Sequence, residues 1–268
     1  MNSLPPLLLL GGGKMGSALL AGWRERGIST VHVVDPALQA RRLAGDGVSV
    51  VASAAELPPG FAPEAIVLAV KPQLAADAIP PLRRFAGSAL FVSIMAGKTI
   101  AWLARQLGTE AAILRAMPNT PAAVRQGMTV AVPGPAVSPA QRELGESLLK
   151  AVGSVFLTED EALLDPVTAV SGGGPAYVFL LAELLERAAV EQGIPAPLAR
   201  DLARRTIIGS GALLAASDED AATLRRAVTS PGGTTERALA VLMEENAWPK
   251  AASAAIAAAT ARSRELAD

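Results

Sequence analysis

The chain has 268 residues, a formal charge of -1, 51% hydrophobic and 18% charged residues: enough for one large or two smaller packed domains, and too apolar for a disordered polypeptide. No Lys/Arg block outweighs its neighbouring acids, which excludes the basic footprint of a nucleic-acid or anionic-membrane binder. The absence of cysteine excludes a disulfide framework, a thiol nucleophile and a thiolate metal site, and accords with a cytoplasmic protein.

In chain order, Leu7 to Leu10 reads as a strand, Lys14 to Arg26 as a helix, and Thr30 to Val34 as a second strand closed by Asp35. The apolar opening from Leu4 has no basic flank and runs straight into glycines, so it reads as a buried strand rather than a signal segment. Short apolar runs follow at Val48 to Val51, Ile66 to Val70, Leu90 to Ile94, Ala112 to Leu114 and Thr129 to Val132, the last stopped by Pro133. Beyond about residue 158 only helices are predicted: Pro166 onward, Pro175 to Gln192, Pro197 to Ala216, Ala221 to Val228, Thr234 to Ala247 and the Ala-rich Ala251 to Ala261. The fold class is therefore α/β, a Rossmann-like doubly wound sheet in residues 1–160 followed by an all-helical domain in 161–268. No apolar run is expected to reach bilayer length uninterrupted, the longest being broken by charges, Gly or Pro.

The string GGGKMG lies between the first strand and the first helix, the context in which a glycine turn binds a dinucleotide. Gly11 allows the tight turn, Gly13 lets backbone approach a pyrophosphate, and Gly16 lets the helix pack closely, with Lys14 and Met15 opening the helix. Asp35 stands where an acid accepts hydrogen bonds from ribose hydroxyls, which points to NADH, while Arg41 and Arg42 a few residues on suit either a ribose phosphate or a solvated surface. NADH and NADPH both stay open.

Val70, Lys71 and Pro72 follow the fourth strand at its carboxyl end, and Asn119 in Met117 to Pro121 follows a later one with both donor and acceptor capacity. The sole histidine, His32, falls inside the second strand and is a poor candidate for a base; no HExxH or Cys/His metal pattern occurs. In the helical half two glycine-rich stretches precede helices, SGGGPAY at Ser171 to Tyr177 and SPGGTT at Ser230 to Thr235. Both expose backbone amides at a helix start, where anions are favoured.

Taken in order, GGGKMG, AVKPQ (Ala69 to Gln73), SIMAG (Ser93 to Gly97), RAMPNTPA (Arg115 to Ala122), SGGGPAY and VTSPGGTTERAL (Val228 to Leu239) resemble the pyrroline-5-carboxylate reductase family nearly end to end. The resemblance implies reduction of 1-pyrroline-5-carboxylate to L-proline by NADPH or NADH, the last step of proline biosynthesis. It also implies a homodimer built by the helical domain, with rings of dimers in some members. It places the imine between the nicotinamide and SPGGTT: Ser230 and the amides of Gly233 and Thr234 on the carboxylate, the Thr235 hydroxyl toward the imine nitrogen, and Gly232 within the same substrate site. Thr235 and Ser230 are the catalytic candidates; Val70, Lys71, Pro72, Ala96 and Asn119 would border the cofactor. The chain departs from the family pattern at Lys14, commonly Asn, and at Gly173, commonly Ser, and Asp35 weakens an automatic assignment of NADPH. Two other functions stand beside this one: a reductase of a different cyclic imine, and a dinucleotide-binding regulator without turnover.

Overall fold

A computed structural model describes residues 4–266. The chain forms two compact units, one running to Gly172 and resumed from Ala259, the other Gly173–Ala258. The compact units divide at Gly172 and Gly173, twelve residues past the expected boundary at 160 and 161. Residues 161–172 stay with the sheet because Glu161 pairs with Arg115, Leu164 is buried against Val130 and Val132, and Asp165 accepts a hydrogen bond from Ser263 at 2.7 Å.

The first unit begins with β1 (Leu7–Leu10), α1 (Lys14–Arg26), β2 (Val31–Val34), β3 (Val48–Val51) and β4 (Ala65–Leu68). It continues through the single-turn α2 (Ala75–Ala78), β5 (Leu90–Ser93), α3 (Ile100–Leu107), β6 (Ala112–Met117), β7 (Gly127–Pro133), α4 (Pro139–Lys150), β8 (Gly153–Leu157) and the short α5 (Leu164–Val167). The strands join in one sheet, ordered β3-β2-β1-β4-β5-β6-β7-β8. The first six are parallel; β7 pairs antiparallel to β6 and carries β8 parallel to itself.

Leu7 to Leu10 is buried on both faces, as a central parallel strand requires. Alternation sorts its residues into two cores: Leu7 and Leu9 join Leu19, Trp23 and Leu148 on one face, and Leu8 and Leu10 join Ile79, Phe91 and Leu103 on the other. Trp23 Nε1 donates to the Leu148 carbonyl at 2.9 Å, tying α1 to α4. The helices α3 and α4 and strand β8 were not expected from the sequence. Their ends nonetheless carry signals: Thr99 accepts from Trp102 N–H, and Ser138 and Gln141 form a reciprocal capping box with Pro139 at the first helical position.

The second unit holds α6 (Gly174–Glu191), α7 (Ala196–Ala216), α8 (Ala221–Ala227), α9 (Thr234–Leu242) and the start of α10 (Trp248–Glu265). No residue of α6, α8 or α9 is buried, and only Ala199 and Ala203 are in α7. Phe179, Ile208 and Leu213 are each more than 60% exposed. Such a pair of long helices does not close a core by itself and calls for a partner surface.

The expectation that no apolar run reaches bilayer length needs correction. Within the helical run Glu161–Glu191 an 18-residue window has a mean hydropathy of 1.3, enough to cross a membrane by length and composition alone, although the run also carries Asp165, Glu183, Glu186 and Arg187. The glycines there bend the run without ending it: Thr168–Gly172 winds as a π-helical turn and, after a bend at Gly173, α6 begins.

Candidate active site

The glycine turn sits where the strand order reverses, between the carboxyl ends of β1 and β4, the place where open α/β sheets bind ligands. Gly11 has φ +98°, and a Cβ there would lie 2.8 Å from the Ala69 carbonyl, so only glycine fits. A Cβ on Gly16 would stand 2.1 Å from the Gly11 oxygen, which brings the first turn of α1 onto the loop. At Gly13 nothing lies within 4 Å of an added Cβ. Gly13 is the N-cap of α1 and provides no side chain to satisfy the first amides. Fold packing explains Gly11 and Gly16, whereas the space beside Gly13 is left open. Exposed first-turn amides over an open glycine fit a pyrophosphate.

Asp35 is tied to this turn. Its Oδ2 accepts from the Gly12 amide at 2.7 Å and its Oδ1 from the Ala37 amide at 2.9 Å. Gly12 was not among the candidates, and the usual glycine pattern leaves its position free. Lys14 is exposed at the helix start, whereas Met15 is half-buried against the core. After the neighbouring strand Val70 packs partly into the second core and Pro72 is half-buried, while Lys71 is exposed before a short 3-10 turn at Pro72–Leu74. The fourth strand ends at Leu68, so Val70 belongs to the loop and not to the strand. Ala96 is half-buried in the turn after β5.

Asn119 follows β6 with both ends of its amide in use: Oδ1 accepts from the Met128 amide at 2.9 Å and Nδ2 donates to Ser171 Oγ at 3.1 Å. It thereby joins RAMPNTPA to the SGGG turn, where a Cβ on Gly172 would meet Met117 Cε at 2.8 Å. His32 is remote in role. It contacts Ser49 Oγ through Nδ1 and stands edge-on to Phe61, and partial burial lowers its pKa. Among the described residues no group of three or more His, Asp or Glu forms a metal cluster.

In the helical unit, Ser230 to Thr235 forms an exposed turn leading into α9. Gly232 has φ +72°, and its amide donates to Glu236 Oε2 at 2.8 Å. The Gly233 amide, expected to face a carboxylate, donates to the Ser230 carbonyl at 3.0 Å, closing the turn. Thr234 and Thr235 open the helix, where amides precede the internal ladder. Glu236 was missed, although an acid three residues past the N-cap is itself a helix-start signal.

Residues 161–266 match the pyrroline-5-carboxylate reductase dimerisation family, and residues 7–97 match a family described as NADP oxidoreductase coenzyme F420-dependent. Across 99% of its length the chain is 38% identical to the pyrroline-5-carboxylate reductase of Pseudomonas aeruginosa, covering 98% of that protein. The chain belongs to the pyrroline-5-carboxylate reductase family. The reductase of Mycobacterium tuberculosis is also 38% identical, over 97% of this chain and 96% of its own. The solved reductase of Coxiella burnetii superposes with a TM-score of 0.90 at 31% identity, each chain fully covered. The Plasmodium falciparum enzyme, solved with NADP bound, gives 0.85 at 29%, again over the whole of both chains.

Membership accounts for the bare helices of the second unit, since the exposed faces of α6 and α7 lie inside the family's dimerisation segment. The chain is accordingly a dimeric, NAD(P)H-dependent oxidoreductase of proline biosynthesis, with a Rossmann-like domain followed by a helical one.

Proposed function

We propose that the chain reduces 1-pyrroline-5-carboxylate to L-proline, and that Ser230 and Thr235 carry the substrate chemistry. The observation that carries this is the pairing, in one chain, of an open glycine turn at Gly13 with an exposed Ser230–Thr235 turn at a helix start. Cofactor binding is assigned within residues 1–160, to Gly11, Gly13, Lys14, Met15, Gly16, Asp35, Val70, Lys71, Pro72, Ala96 and Asn119. Substrate binding and dimer contacts are assigned within 161–268. The bound nicotinamide supplies hydride to the imine carbon.

The protein's part is to hold the ring and manage the proton. As the C=N carbon gains hydride, the nitrogen keeps the former π pair and must carry a proton, either brought by a cationic substrate or donated. The Thr235 hydroxyl is the donor or relay, and Ser230 with the Thr234 amide holds the carboxylate. Gly233 contributes by shape, because its amide already closes the turn on Ser230. Gly232 contributes its left-handed bend, fixed by Glu236. Orientation of ring against cofactor provides much of the acceleration, up to about 7–11 kcal/mol in favourable systems. The enzyme works in the cytoplasm, where reduced nicotinamide is supplied, as a dimer that can assemble further into rings.

Thr235→Ala is the test. Detection of L-proline from 1-pyrroline-5-carboxylate and reduced cofactor should fall roughly 10²-fold in rate with unfolding temperature unchanged. Unaltered turnover would remove Thr235 from the chemistry. Proline formation absent even in the unsubstituted enzyme would defeat the substrate assignment.

A further inference from the structure

At the carboxyl ends of β2 and β3, beside the glycine turn, lies a recess of about 380 Å³. Pro36, Val51 and Ala52 give it apolar walls, and its charged members are Asp35, Glu56 and Arg41. Two carboxylates thus face one guanidinium.

Both carboxylates are held in place. Asp35 accepts from the Gly12 and Ala37 amides. Glu56 accepts from Ser53 Oγ at 3.0 Å and from the Ala52 amide at 3.4 Å. Turning Asp35 aside would strand two backbone donors, one of them in the glycine turn itself. Arg41, exposed as Glu56 is, stands on the 3-10 turn Leu38–Leu43.

A carboxylate that already accepts two hydrogen bonds keeps lone pairs for more but has no proton to give. A ribose 2′-hydroxyl brings a donor to such a rim. A 2′-phosphate brings only acceptors and further negative charge, against two hydrogen-bonded anions and one exposed cation.

We infer that this chain takes NADH in preference to NADPH, with Asp35 as the discriminating residue and Glu56 reinforcing it. The inference rests on the dinucleotide reading above but not on the identity of the imine. Like-charge contact of this kind sets the preference at about tenfold or more in dissociation constant.

Titration of the full-length dimer with NADH and NADPH by nicotinamide fluorescence, and with NAD+ and NADP+ by calorimetry, tests it without turnover. The expected result is at least about tenfold tighter binding of the non-phosphorylated form. Asp35→Ser combined with Glu56→Gln should bring the two affinities together, and Arg41→Ala should leave their ratio unchanged. Because loss of Asp35 releases Gly12, Glu56→Gln alone is the safeguard for a poorly folded double variant: it should improve NADPH binding and leave NADH binding as it was. Equal or tighter binding of NADPH would overturn the inference, as would selective loss of NADPH binding in Arg41→Ala. Binding of neither cofactor would instead defeat the dinucleotide reading.

Discussion

Asn119 and Ser171, 52 positions apart, are joined side chain to side chain by Nδ2–H to Oγ at 3.1 Å, while the same amide's oxygen receives the Met128 N–H. One side chain therefore fastens the loop after β6 to both the start of β7 and the π-turn that launches α6. Asn119→Ala removes both bonds, but the exposed Met128 amide can turn to water, so the cost should be about 0.5–1.5 kcal/mol. Asn119→Asp keeps the acceptor for Met128 but loses the donor to Ser171, and should cost less. Chemical denaturation of both variants checks the order; equal stability of Asn119→Ala and the parent would contradict it.

The three glycines of the cofactor turn should separate by phenotype. Gly16→Ala places a methyl 2.1 Å from the Gly11 carbonyl and must displace backbone, so its unfolding temperature should fall with overpacking of about 1–3 kcal/mol or more. Gly13→Ala meets nothing in the protein. It should fold like the parent and bind NADH about tenfold or more weakly, because the methyl occupies the space of the pyrophosphate. Calorimetric affinity beside thermal unfolding distinguishes the two, and parental NADH affinity in Gly13→Ala would speak against phosphate binding there.

Glu161 Oε1 accepts from Arg115 Nη1 at 2.7 Å and from the Ile100 amide at 2.8 Å, with the Arg115 side chain only 7% exposed. Removing the carboxylate leaves a nearly buried cation unpaired. Glu161→Ala should destabilise the first unit by about 1.5–3 kcal/mol, and Arg115→Met should be milder than Glu161→Ala because it leaves no buried charge. Urea midpoints of the two variants test this, and the reverse order would refute it.

His32 has its pKa lowered by burial, so the folded state binds its proton less readily than the unfolded chain. Its contribution to stability is present in full above the ordinary histidine pKa of about 6.5 and diminishes as pH falls below it toward the lower folded value. Unfolding temperature should drop more between neutral and mildly acidic pH for the parent than for His32→Gln. Parallel profiles would show that His32 does not contribute to the acid sensitivity.

Much of this molecule is readable in its sequence for local reasons. Leu7 to Leu10 followed by GGGKMG carries strand, turn and helix start in ten consecutive residues, each with its own steric logic. The helices after Pro175 are similarly declared by their lengths. What escaped lies in pairings that periodicity does not encode. The strand β8 alternates between half-buried and exposed residues at the sheet edge and lacks the apolar run of the central strands. The grip of Asp35 on Gly12 spans 23 residues, and that of Asn119 on Ser171 more than twice as many. The glycines at 172–174 suggest a break, yet the π-helical turn Thr168–Gly172 is separated from α6 only by a bend at Gly173. Glu236 was hidden for a simpler reason, since its role depends on the left-handed Gly232 that it holds.

The most direct measurement follows loss of reduced nicotinamide absorbance with 1-pyrroline-5-carboxylate and, side by side, with a six-membered cyclic imine carboxylate. Rapid oxidation of NADH by the five-membered imine, slower oxidation by the larger ring and formation of L-proline are the expected results. Activity confined to the six-membered ring, or tight NADH binding with no oxidation by either imine, would contradict the assignment.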